Sequence, residues 1–127
     1  MIEILKREEG FNGDMYFDTE GFKTIGYGTK LPISEEEGQL LLEFRLNKIK
    51  RDVDEALSHL QIEDDAWDIL YLMAYQMGVG GLLKFKKMIN ALERQDYEEA
   101  SRQMLNSKWA KQTPNRANRM AEMMKDI

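Results

Sequence analysis

The stretch REEGFNGDMYFDTEGFKTIGYGT, residues 7 to 29, sets Glu8, Glu9 and Asp18 among Gly10, Gly21, Gly26 and Gly28, with Thr24 close behind. Hydrolysis of a glycosidic bond needs a proton donor on one side of the bond and a carboxylate or an activated water on the other. Glu9 stands immediately before a glycine, and Asp18 stands where a strand meets its turn. A helix end and a strand end facing each other across a cleft can hold two such carboxylates. The glycines let the backbone turn tightly and let a sugar ring approach it. Thr24 can present a hydroxyl to the same space and help to hold a water. Spacing alone favours a plainer reading: Glu9 on the surface, Asp18 as a turn former and Thr24 as a strand residue.

Elements are needed to position these residues. Ile2, Ile4 and Leu5, with Gly10 beyond them, predict a short helix with a glycine C-cap. Met15, Tyr16, Phe17, Phe22, Thr24, Ile25 and Tyr27 are strand formers around the turn signal Asp18-Thr19-Glu20-Gly21. They predict a hairpin with a third strand near residues 29–31. After Pro32, Ser34 and Glu37 have the spacing of a capping box, and Glu35 and Glu36 suit the positive end of a helix dipole. Leu42, Leu46, Ile49, Val53, Ala56 and Leu60 then recur at helical steps and predict a long amphipathic helix of about seven turns.

Asp64 or Asp65 is expected to cap an apolar helix, AWDILYLMAYQM, that ends at Gly78, Gly80 and Gly81. A helix apolar on most sides belongs at the centre of a bundle. LLKFKKMINALER and DYEEASRQMLNS follow as amphipathic helices, the second capped by Asp96 with Glu99, and Thr113-Pro114 opens the last one. Met73, Met77, Met88, Met104, Met120, Met123 and Met124 read as adaptable core filler. The expected architecture is α+β and mainly α, in a single domain over residues 1–127. It consists of a small β-hairpin or three-stranded lobe at about 11–33, a connecting long helix at 34–60 and a helical lobe at 61–127.

Composition narrows the chemistry. The 127 residues contain no cysteine, and His59 is the sole histidine. This argues against a metal centre and against a Ser-His-Asp triad. The net charge of −5 makes nucleic acid an unexpected partner. The charge is uneven, however: residues 1–60 carry 8 Lys or Arg and 13 Asp or Glu, whereas residues 84–127 carry 10 and 6. A basic C-terminal surface can attract a polyanion, although a solvated helical face is the plainer reading. No apolar run is long enough for a membrane span, and the start, MIEILKREEG, shows no signal-peptide pattern.

The motifs Glu9-Gly10, Tyr16-Phe17-Asp18, Gly21 and Thr24-Ile25-Gly26-Tyr27-Gly28 together resemble the active-site segment of the phage-type lysozymes, the endolysin muramidases of glycoside hydrolase family 24. YQMG (75–78) and SKWAKQTPNRANR (107–119) resemble that family's helical-lobe motifs, in the same order. The resemblance implies Glu9 as general acid, Asp18 as second carboxylate and Thr24 as the threonine that positions the attacking water. It further implies Arg116 as electrostatic partner of Glu9, Tyr75 and Gln76 as residues lining the sugar cleft, and Gln103 as another polar cleft residue. Trp109 reads as a buried anchor of the bundle.

The implied function is cleavage of the β-1,4 bond between N-acetylmuramic acid and N-acetylglucosamine in bacterial peptidoglycan, for host cell lysis. The implied enzyme needs no cofactor or metal and acts as a monomer. It is synthesised in the host cytoplasm and reaches the wall with a pore-forming helper. A non-catalytic wall-binding module of the same shape is the alternative, against which Glu9, Asp18 and Thr24 all speak. The sequence departs from the family pattern in four places. Thr29 stands where a histidine is common, the segment after the sheet is cut to KLPI, the chain stops at Ile127 soon after the last motif, and the net charge is negative.

Overall fold

The structure, a computed structural model, describes residues 1–127. In chain order the elements are α1 (Ile2–Glu9), β1 (Asn12–Phe17), β2 (Lys23–Gly26), β3 (Thr29–Lys30), α2 (Glu35–Ala56), α3 (Asp64–Leu83), α4 (Lys86–Glu93), α5 (Tyr97–Leu105), α6 (Lys108–Gln112) and α7 (Pro114–Lys125). Seven helices and one small antiparallel sheet make the α+β, mainly helical fold expected. The chain divides into two compact units, Met1–Leu42 and Glu43–Ile127.

In the first unit the sheet order is β1-β2-β3. Tyr16 pairs with Thr24 and Phe17 with Lys23, but Asn12 pairs with Gly26. Between these pairs three residues of β1, Gly13 to Met15, therefore oppose Ile25 alone, a bulge that raises local twist. Ile25 pairs with Thr29 on the third strand. The capping box forms as the sequence predicts. The Ser34 N–H donates to Glu37 Oε1 at 2.9 Å, and the Glu37 N–H donates to Ser34 Oγ at 3.1 Å. These bonds satisfy backbone donors that the first turn of α2 cannot pair internally.

The second unit holds the apolar core. Ile69, Leu70 and Met73 of α3, Met88 and Leu92 of α4, Met104 of α5 and Met124 of α7 are fully buried. Helix α5 packs most extensively on α7 and then on α4. Where α5 meets α7, the buried Ser101 hydroxyl donates to the Ala121 carbonyl at 2.7 Å.

Several elements differ from expectation. Helix α2 stops at Ala56 rather than continuing to Leu60. Leu57 makes one last helical bond to the Val53 carbonyl, and Leu60 folds back in a turn onto the Leu57 carbonyl. Leu60 thus reaches the core from the turn, not from the helix. Along the predicted stripe only Val53 and Leu60 are buried, and Leu42 and Ala56 are exposed. Glu63, not Asp64 or Asp65, is the N-cap of α3; both aspartates lie in its first turn, where their charge suits the dipole. Gly78 does break α3, with φ 81° and ψ 159°, but helix resumes as far as Leu83. The predicted LLKFKKMINALER helix consequently begins only at Lys86, with Phe85 as its N-cap. Helix α6 is additional: Ser107 caps it by accepting the Ala110 N–H at 3.1 Å. Of the seven methionines, Met77 is half-buried and Met123 is exposed; the other five are core.

Candidate active site

Glu9, Asp18 and Thr24 all lie in the first unit, on α1, at the end of β1 and on β2. Helix α1 ends at Glu9 because Gly10 takes φ 68°, which glycine adopts without steric cost, while its N–H still bonds the Lys6 carbonyl. The Glu9 carboxyl then rests against Gly28. A Cβ at Gly28 would sit 2.6 Å from Glu9 Oε2 and 2.9 Å from its Cδ, and φ there is 73°. Gly28 is needed twice over, for its backbone conformation and for the room that it leaves. Lys6 stacks its ammonium over the Tyr27 ring at 5.6 Å, and Phe11 packs against the same ring.

Asp18 is fixed by its own turn. Its Oδ1 accepts the N–H groups of Glu20 at 2.9 Å and Phe22 at 2.8 Å, and the Gly21 N–H bonds the Asp18 carbonyl. The bond to Phe22 also joins the two strands, since the Asp18 N–H donates to the Phe22 carbonyl at 2.9 Å. Thr24 is only 2% exposed, and its hydroxyl donates to that same carbonyl at 2.9 Å. One peptide group on either side of Phe22 thereby fastens both residues: its N–H holds the Asp18 carboxylate, and its C=O holds the Thr24 hydroxyl. With its proton directed to Phe22, Thr24 Oγ1 has only lone pairs to offer a further partner. The second Asp18 oxygen, Oδ2, lies 3.8 Å from Lys30 Nζ, and that ammonium also sits over the Phe22 ring at 4.8 Å.

The other candidates belong to the second unit. Gln76 Oε1 accepts the Trp109 Nε1–H at 2.9 Å, and Trp109, 8% exposed, meets Phe85 edge-on at 6.1 Å. Trp109 is the buried anchor expected. Tyr75, beside Gln76 on α3, is exposed. Gln103 donates to Glu99 Oε1 at 2.8 Å and lines a surface cavity of about 500 Å³ together with Trp109. Hydrogen bonding to Gln103, and next to Arg102, holds the Glu99 carboxyl below its ordinary value. Arg116 is exposed on the first turn of α7. Sequence reasoning missed Phe22 and Lys30 as supports of the site. Gly28 left a signal, the last glycine of Thr-Ile-Gly-Tyr-Gly, whereas Phe22 acts through its backbone and left none.

The chain matches the phage lysozyme family over residues 6–123. It belongs to that family. It is 31% identical to probable T4-type lysozyme 1 of Dictyostelium discoideum, over 96% of this chain and 91% of that protein. Probable T4-type lysozyme 2 of the same organism is 28% identical, over 93% and 89%. The pre-baseplate central spike protein Gp5 of Enterobacteria phage T4 is 32% identical over 94% of this chain, which spans 26% of that longer protein. The alignments with lysozyme 1 and with the spike protein run over 155 and 156 positions against a chain of 127 residues, so these relatives carry inserted residues that this phage-type lysozyme lacks. Membership makes the chain a glycoside hydrolase of the lysozyme type, a peptidoglycan hydrolase.

Proposed function

We propose that this lysozyme cleaves the β-1,4 bond between N-acetylmuramic acid and N-acetylglucosamine, with inversion at the anomeric carbon, and serves host cell lysis. The observation that carries the mechanism is the double attachment at Phe22, which ties the Asp18 carboxylate and the Thr24 hydroxyl to the same residue of the hairpin. A water that donates one hydrogen to Thr24 Oγ1 and the other to Asp18 is aimed with its own lone pair free. Asp18 takes a proton as that oxygen attacks the anomeric carbon, and Glu9 gives a proton to the departing sugar oxygen. The β-linked substrate yields an α-anomer. Tyr75, Gln76 and Gln103 are assigned to the sugar and Arg116 to the Glu9 charge, as the family resemblance implies.

Mass spectrometry of purified peptidoglycan after digestion tests the bond. Reducing muropeptides with a muramic acid end are expected; anhydro-muropeptides would make the enzyme a transglycosylase. The anomer first formed, read by NMR before mutarotation, tests the water. A β-anomer would recast Asp18 as the nucleophile. The likeness to a spike protein favours a second setting, in a phage particle rather than in lysis. Detection of the chain in purified particles, together with normal lysis when its gene is deleted, would establish that setting instead.

A further inference from the structure

We infer that one row of side chains on α2 is a self-association surface, and that two copies of this chain pair there, antiparallel, about a two-fold axis. Helix α2 runs unbroken from Glu35 to Ala56, so side chains four residues apart stand one above the other along it. Glu36, Leu40, Phe44 and Lys48 form such a row, and all four are exposed. Leu40 is 62% and Phe44 70% exposed, more than any other large apolar side chain of the helix. Single apolar residues at a surface are ordinary, but adjacent ones framed by charge mark an interaction site. Glu36 and Lys48 enter none of the protein's ion pairs.

The order of the charges names the occupant. Along the helix the row reads acid, apolar, apolar, base; turned end for end, it reads base, apolar, apolar, acid. A second copy laid antiparallel therefore sets each Leu40 against the other copy's Phe44, and each Glu36 against the other copy's Lys48. Arg51, three residues beyond Lys48 and also exposed, brings a further cation toward the acidic first turn of Glu35, Glu36 and Glu37. A parallel pair would oppose like charges, which is unfavourable. A two-fold interface requires a patch that fits a copy of itself, and this row is its own complement. A lipid surface has no use for such an order. About four turns of helix against four make a small interface, so association belongs to the micromolar-to-millimolar range. The family resemblance implies a monomer; the row on α2 makes this chain a reversible dimer.

Analytical ultracentrifugation of the full chain across that concentration range is the test, with circular dichroism to establish that each variant is folded. The wild type should pass from monomer to dimer as its concentration rises. Phe44→Glu sets a carboxylate against Leu40 at two symmetric places and should weaken association by about 100-fold or more. Glu36→Lys and Lys48→Glu each oppose like charges at two places and should each weaken it by about 5- to 30-fold. Combined in one chain, the two exchanges oppose unlike charges again, and association should return to within about threefold of wild type. None of these residues belongs to the proposed catalytic machinery, so the outcome is independent of which bond the enzyme cleaves. A wild type that stays monomeric throughout, or variants that associate as it does, would overturn the inference. So would a combined exchange that recovers nothing, because the antiparallel order would then be wrong. Vesicle binding by a monomeric wild type, abolished by Phe44→Glu, would assign the row to a membrane surface instead.

Discussion

At the residue scale the site rests on pairs of roles that substitutions can separate. Glu9→Gln keeps the shape but cannot donate a proton, so activity should fall by roughly 10²–10⁴-fold with folding intact. Asp18→Asn should do likewise. The amide oxygen can still accept from Glu20 and Phe22, so the turn survives while the base is lost. Thr24→Ser retains the hydroxyl and should retain appreciable activity. Thr24→Val should lose it, because no oxygen remains to hold the water; turnover of purified peptidoglycan by each folded variant is the check.

Gly28→Ala separates strain from position. The left-handed backbone there costs alanine about 1–2 kcal/mol, which thermal unfolding will show. The new methyl also meets the Glu9 carboxyl, the mobile end of a side chain that can swing aside. Stability should therefore fall modestly and activity severely. If displacement of Glu9 is the cause, adding Gly28→Ala to Glu9→Gln should lower activity little further, a non-additivity that a double-mutant cycle measures. The pattern of glycines and acids was legible in the sequence because each marks a side-chain or backbone requirement of its own. The convergence on Phe22 was not, because peptide groups are common to every residue and only the strand register selects one of them.

At the scale of elements, signals confined to a few neighbouring residues were readable. The Ser34–Glu37 and Asp96–Glu99 caps and Pro114 at the start of α7 formed as their spacing predicted. Boundaries set by packing were not readable. Leu60 has the right period for α2, but it enters the core from a turn. The segment 82–85 looks like the start of α4, but it closes α3 after the Gly78 break. Helix α6 was hidden because five residues are too few to show a period.

The α2 cap also yields a pH dependence. The backbone N–H of Ser34, and next its hydroxyl, hold the Glu37 carboxyl below its ordinary value of 4.5. A depressed carboxylate contributes stability that is full above its unfolded-state value and is lost as the pH falls through the folded one. Ser34→Ala keeps the backbone N–H but loses the hydroxyl, so near neutrality it should destabilise the protein by removing the cap on the Glu37 N–H and the hydroxyl's hold on the Glu37 carboxylate. Its difference from wild type should narrow below pH 4.5, as Glu37 takes up its proton. Chemical denaturation of both proteins across that range is the measurement, and a constant difference down to the acid limit would remove Glu37 from the account.

At the scale of the whole molecule, burial is distributed very unequally. Among residues 1–42, Thr24 is the one buried side chain, whereas the apolar core runs from Val53 to Met124. A stretch of about 40 residues with so little interior has small means of its own to offset the entropy of ordering its backbone. The residues proposed for chemistry thus sit on the unit with the thinner core, held mainly by hydrogen bonds at turns. Local opening is cheapest where few apolar contacts must be broken. Amides of β1 and β2 should therefore exchange with solvent through local opening, and those of α3, α5 and α7 only on global unfolding. Leu70→Ala separates the two processes. Removing that fully buried side chain should cost about 2–5 kcal/mol and lower protection across α3, α5 and α7 by the same free energy. Protection of the β1 and β2 amides should stay as in wild type, because their exchange never awaited the core. Hydrogen exchange resolved by residue decides the matter: an equal loss of protection in the strands would mean that the two units open together.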